Sequence, residues 1–128
     1  MGELTAGINW LAVGISTFLS FGLGALWFSP MMFGVKWAEG VGIAIGAEAK
    51  QPVAALVLQL TGTFLFAWLV AIAAASDALL LATLIALTIA VLLSASGFFD
   101  GNSRYAAIAE GVFPLAMFVI MLICHAVL

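Results

Sequence analysis

A chain of 128 residues that is 66% hydrophobic and 7% charged, with a mean hydropathy of +1.34, cannot fold as a soluble globule. A domain of this size has too little interior to hide so much apolar surface, and soluble domains are roughly a quarter charged. Lipid is the solvent that this composition demands, and the formal charge of −3, carried by single scattered side chains, leaves no basic stripe for nucleic acid.

The first apolar run, about 8–28, is close to the ~20 residues that a helix rising ~1.5 Å per residue needs to cross ~30 Å of hydrocarbon. No Lys or Arg precedes it and it is longer than a secretory signal core, so it reads as an uncleaved span. Pro30 stops it. Trp27, Pro30, Phe33 and Trp37 form an expected interfacial anchor, with the aromatic rings at headgroup level. The connection 29–51 is long for a small bundle, and its Gly40, Gly42, Ile43, Ile45 and Gly46 are apolar but poor at holding a helix. Two readings stay open for it, a partly ordered segment lying on the membrane surface and a plain connector.

Pro52 suits the first turn of a second span, about 53–75, and Ser76 or Asp77 is placed to cap a third, about 78–99. Asp100-Gly101-Asn102-Ser103 reads as a turn with a capping residue for a fourth, about 105–128. Transmembrane strands would alternate polar and apolar residues, which 67–75 and 79–87 do not. The expected fold class is therefore all-α: a polytopic membrane protein, one domain over 1–128, with four transmembrane helices in an antiparallel bundle. Lys36, Lys50 and Arg104 all fall on the side of the 29–51 and 100–104 connections. Short cytoplasmic loops collect such residues, so both termini are expected on the non-cytoplasmic side.

Small residues recur every four positions on three spans: Ser16, Ser20 and Gly24; Thr63, Ala67, Ala71 and Ala75; Ala82, Ala86, Ala90 and Ser94. Close backbone approach along such stripes holds helices together in lipid. The same chemistry serves packing within the chain and self-association, so a homo-oligomer or a subunit of a larger membrane complex is expected beside the bilayer itself. An inverted repeat would point to a transporter. The only echo, Ala38-Glu39-Gly40 against Ala109-Glu110-Gly111, is too short to support one.

Glu110 is the acidic residue well inside a span, where an ionised carboxylate costs on the order of 2.5 kcal/mol at the bilayer centre and less near the edge. Pro114, four residues on, removes the amide that would bond the Glu110 carbonyl, and Gly111 admits a neighbouring helix, so this turn is an expected kink. Counting residues from the helix ends puts Gln59, Ser94 and, slightly deeper, Ser20 near the same level. The four define a candidate polar layer. It reads first as hydrogen-bonded glue around a carboxyl group, and second as an ion or proton entry point.

His125, near the end of the last span, has no second ligand at metal spacing and reads as an interfacial histidine. Cys124 is the single cysteine, so no intrachain disulfide is expected. No phosphate loop, Ser-His-Asp set or cofactor attachment motif is present. The expectation is a chain without catalytic residues, bound metal or cofactor.

The residues Asn9-Trp10, Gly24, Trp27-Phe28-Ser29-Pro30, Phe33-Gly34 and Trp37 resemble the signature of small bacterial integral-membrane proteins grouped as domain of unknown function (DUF) family 1761. Phe99-Asp100-Gly101 and Ser103 are similar to its weaker second motif. Phe28 stands where the family usually has Tyr. The resemblance implies a four-span fold in a bacterial inner membrane and brings no catalytic residue. The expected function is a non-enzymatic structural or accessory component of a membrane assembly. The alternative is a small oligomeric transporter or channel using Glu110.

Overall fold

The computed structural model describes residues 2–43 and 53–128, so Lys50, Pro52 and the second half of the 29–51 connection lie outside the described residues. Six helices follow in order: α1 (Gly2–Thr5), α2 (Trp10–Trp27), α3 (Gly34–Val41), α4 (Val53–Ala75), α5 (Leu79–Phe99) and α6 (Arg104–Val127). Of these, α2, α4, α5 and α6 are long and apolar enough to cross a membrane. Among the described residues there is no strand.

Local chemistry sets the helix ends. The Asn9 side chain accepts from the Ala12 amide at 3.1 Å and starts α2, and Ser103 accepts from the Ala106 amide at 3.1 Å to start α6. Three helices stop in the same way. Gly42 (φ +88°), Asp77 (φ +53°) and Gly101 (φ +81°) take left-handed conformations. The amides of Ile43, Ala78 and Asn102 then reach back to the carbonyls of Ala38, Ala73 and Gly97 at 3.0, 2.8 and 3.0 Å. This corrects one expectation: neither Ser76 nor Asp77 caps α5, whose N-cap is Ala78 without a side-chain bond. Asp77 instead closes α4, in a conformation that short polar residues tolerate better than most.

Two short helices stand outside the four expected runs. α1 lies against α4, where the Trp68 indole donates to the Leu4 carbonyl at 2.8 Å and Trp10 meets Trp68 at 5.6 Å between ring centroids. At the opposite end α3 docks on the start of α6. The Ser103 amide donates to the Gly40 carbonyl at 3.0 Å, and Lys36 Nζ lies 5.4 Å from the centroid of the Tyr105 ring. Gly40 has to be bare, because a Cβ there would overlap Ser103 Oγ and crowd the Ala106 Cβ. Within the described part of the 29–51 connection the 34–41 segment is a docked helix, and it shares one end of the bundle with the α5–α6 turn.

α6 is the central element, packing on α2, α3, α4 and α5. Half of its most apolar stretch is buried, against 17% for α5. The small-residue stripes are largely consumed inside the chain: Ser16, Ser20, Ala67, Ala82 and Ala86 are fully buried, and Thr63, Ala71 and Ala90 nearly so. Met121, Val13 and Val70 fill the core between them, and Phe66 stacks on Phe118 at 6.1 Å. The outward faces are apolar, with Phe18, Leu80 and Phe99 more than four-fifths exposed. Such a surface suits lipid and no aqueous setting.

Candidate functional site

The candidate polar layer divides into three places. Glu110 is half-buried, and its Oε1 accepts from Asn102 Nδ2 at 2.8 Å, so the carboxylate bends back to the α5–α6 turn. It lies over Gly97, where a Cβ would sit 3.1 Å from the same oxygen. Ser94 belongs to this seam as well, donating to the Ala107 carbonyl at 3.1 Å across the interface. Ser20 is fully buried on α2 with its hydroxyl unpartnered. Gln59 is exposed on α4, and its backbone carbonyl accepts from the Thr63 hydroxyl at 2.6 Å. Equal depth therefore brings Glu110 and Ser94 to one interface; no hydrogen bond links either of them to Ser20 or Gln59.

Two further buried hydroxyls bond locally: Thr17 donates to the Val13 carbonyl at 2.7 Å, and Ser16 to the same oxygen at 3.3 Å. This is the usual way to satisfy hydroxyls in a spanning helix. His125 is half-buried with Nε2 unpartnered, and its ring faces the backbone of Ala67. Among the described residues no three His, Cys, Asp or Glu side chains converge.

α6 runs without interruption through Pro114, and the turn before the proline meets the anchor motif. Trp27 is buried, and its Nε1 donates to the Ala109 carbonyl at 3.1 Å, one residue before Glu110. Trp27 therefore points into the bundle as a peg on α6, and not outward to the headgroups. Around it the motif closes an aromatic box. Trp27 meets Phe33 at 4.6 Å and Phe113 at 5.7 Å, while Phe28 meets Trp37 at 4.6 Å and Phe113 at 5.5 Å. Each such pair adds about 0.5–1.5 kcal/mol beyond the area it buries. The intervening turn is tied by Phe33 N to Trp27 O at 3.0 Å, Gly34 N to Ser29 O at 2.9 Å and Ser29 Oγ to Leu26 O at 2.6 Å.

Sequence reasoning treated the motif as a surface device because tryptophans at span ends usually are. Nothing in the sequence signals the inward turn: Pro114 frees the carbonyl of Glu110, whereas the indole bonds that of Ala109. Trp27→Phe removes the indole bond to the Ala109 carbonyl and should lower stability by about 0.5–1.5 kcal/mol for the bond, beyond the packing lost with the larger ring. Trp68→Phe, which loses a bond at an exposed site, should cost less than about 1 kcal/mol. Thermal unfolding of both variants in one detergent, followed by circular dichroism, compares them; equal losses would contradict the peg.

Beside the box lies a cleft of ≈ 470 Å³. Gly24, Phe28 and Trp37 of the motif form one side, Phe113 the floor, and Ala55 and Gln59 of α4 the other side. Every residue of α4 from 53 to 62 is exposed, and burial begins only at Thr63, so the first half of α4 stands off the bundle across this opening.

The family described as "Protein of unknown function (DUF1761)" matches residues 11–126. No curated protein and no solved structure matches the chain.

Proposed function

The chain belongs to the DUF1761 family, a family of unknown function, and from that premise we propose that it is a multi-pass membrane protein acting without catalysis, as a structural or accessory component of a membrane assembly. The observation that carries this reading is the Glu110–Asn102 bond of 2.8 Å. It makes the intramembrane acid a staple across the start of α6, fixing the hairpin of α5 and α6. Stapled hairpins offer a rigid apolar face to neighbours. Because the small-residue stripes are spent internally, contact with a second copy or another subunit falls to the outward faces of α2 and α5, where Phe18 is 83% and Val91 66% exposed.

The membrane is the bacterial inner membrane in this reading, with both termini on its non-cytoplasmic side. Support comes from the Gly40–Ser103 bond, which gathers Lys36 and Arg104 at one end of the bundle, as cytoplasmic loops do. Labelling a single cysteine at Ser76 in a Cys124→Ala background tests the orientation: modification from the cytoplasmic side would reverse it.

The role itself is tested by photo-cross-linking in membranes from positions Phe18, Leu84 and Val91, with ion flux measured in proteoliposomes. The expected result is a few discrete protein adducts, retained in Glu110→Gln, and no flux that depends on Glu110. Flux lost on Glu110→Gln would replace this reading by an oligomeric transporter or channel.

A further inference from the structure

We propose that the first half of α4, residues 53–61, is a movable flap hinged at Gly62, which swings towards the end of α2 and closes the cleft with the chain's own residues. This goes beyond the accessory role and needs no ligand. The flap continues an interface that is already formed, since α2 and α4 pack on each other elsewhere. On α4 the buried face runs through Ala71, Ala67 and Thr63, and further steps of four reach Gln59 and Ala55, which line the opening. On α2 the buried Ser16 and Ser20 lead in the same steps to Gly24, on the opposite wall. In lipid, close approach along such faces is what holds two helices together.

Gly62 marks the boundary between the docked and the free half. Every residue from 53 to 62 is exposed, and the first buried one is Thr63. A Cβ on Gly62 would meet nothing within 4 Å, so no neighbour requires glycine there, although it costs a helix about 1 kcal/mol relative to alanine. Gly14 and Gly22 of α2 are equally free, but buried residues on both sides hold their helix: Val13 and Ser16 about the first, Ser20 and Trp27 about the second. Gly62 has them on one side only. The residues beside it weaken the same turn, for the Thr61 hydroxyl donates to the Val57 carbonyl at 2.8 Å and the Thr63 hydroxyl to the Gln59 carbonyl at 2.6 Å. Such bonds draw on the carbonyls of the helix ladder and favour bending. A glycine between two of these threonines, where a docked helix becomes a free one, has the chemistry of a hinge.

The hinge needs little travel. From Gly62 to Ala54 is eight residues, about 12 Å of helix, so a rotation of about 20°, the size that separates a kink from gentle curvature, moves the end of the flap by about 4 Å. Closure brings Ala55, Leu56 and Gln59 towards Gly24, Phe28 and Phe113. It withdraws the exposed Gln59 carboxamide from lipid and covers the side of the anchor motif, so the open and closed forms present different surfaces to a neighbour. Collective motions of this kind take microseconds to milliseconds.

The test is double electron–electron resonance on the full-length protein in lipid nanodiscs, in a Cys124→Ala background, with spin labels on cysteines placed at Ala54 and Leu26, both exposed. A second labelled pair, at Leu65 and Leu19, spans the docked half of the same two helices. The Ala54–Leu26 distances should spread over about 4 Å more than the Leu65–Leu19 distances, with a shorter component from the closed flap. Gly62→Ala, whose methyl group meets no neighbour, should reduce the first distribution to one component and leave the second and the circular dichroism spectrum unchanged. Gly14→Ala, the same change within a held helix, should alter neither distribution. A single Ala54–Leu26 component as narrow as the Leu65–Leu19 one with Gly62 in place would overturn the flap, and a spread that survives Gly62→Ala would overturn the hinge by assigning the motion to fraying of the α4 start.

Discussion

Gly34→Ala should lower the unfolding temperature in detergent by on the order of 10 °C, corresponding to about 3 kcal/mol or more for a chain of this size. A Cβ at Gly34 would overlap the carbonyl oxygen of Phe28 and lie 2.5 Å from the carbonyl carbon and oxygen of Ser29. All of these are backbone atoms that cannot rotate away, unlike the flexible side-chain ends that absorb most overpacking at about 1–3 kcal/mol. To make room, the 28–34 turn has to open. Opening it breaks the bonds from Phe33 and Gly34 to Trp27 and Ser29 and moves Phe33 away from Trp27. The indole peg on Ala109 and the wall of the cleft shift with it. Gly22→Ala is the matched control, because nothing lies within 4 Å of its Cβ position in mid-α2. There alanine should be neutral or should stabilise by about 0.5–1 kcal/mol through helix propensity. Thermal melts of the two variants should move in opposite directions; a shared small shift would mean that the turn is looser than its contacts indicate.

The spans were legible because their signal is crude and strong. Apolar runs expected at about 8–28, 53–75, 78–99 and 105–128 appear as Trp10–Trp27, Val53–Ala75, Leu79–Phe99 and Arg104–Val127, since length and hydropathy alone determine where a helix can sit in lipid. What escaped depends on contacts between distant residues. α3 carries two glycines in eight residues, a poor helix by propensity; docking on α6 through Gly40, Ser103, Lys36 and Tyr105 holds it. Asp77 looked like a cap for the following helix, and only the packing of two antiparallel helices required it as a left-handed stop for the preceding one.

The candidate site was legible in depth and not in direction. Counting residues put Ser94 near the level of Glu110, because rise per residue is fixed, and Ser94 bonds the Ala107 carbonyl; counting could not tell which side of each helix faces which neighbour. Gln59 consequently opens on the cleft, and Ser20 is buried on α2. Asn102 finds Glu110 across eight residues and a helix start, a spacing outside the three- and four-residue pattern of helical pairs. Trp27 was assigned outward by the habit of tryptophan at span ends, whereas the donor it carries was needed inside.

The seam that holds Glu110 gives the second large effect, and its sign depends on the partner. Gly111→Ala should cost about 1–3 kcal/mol, since a Cβ there would overlap Ser94 Oγ and approach the Ala90 carbonyl oxygen to 2.7 Å. Ser94→Ala alone loses the 3.1 Å bond to the Ala107 carbonyl and should cost about 0.6 kcal/mol, the average for such bonds between membrane helices. In the Gly111→Ala background the same Ser94→Ala change should be stabilising, because it removes the hydroxyl that collides with the new methyl group. Only part of the loss returns, since the Ala90 carbonyl stays where it is. The double-mutant cycle, measured by unfolding in detergent, therefore predicts a coupling that exceeds the Ser94 effect and reverses its sign. A Ser94 lining a hydrated path to Glu110 would behave differently: with water to take up the hydroxyl's place, its replacement would cost the same beside Gly111 or Ala. Sign reversal is thus evidence for a dry contact between α5 and α6, and it bears directly on whether Glu110 staples the hairpin or opens on a pathway.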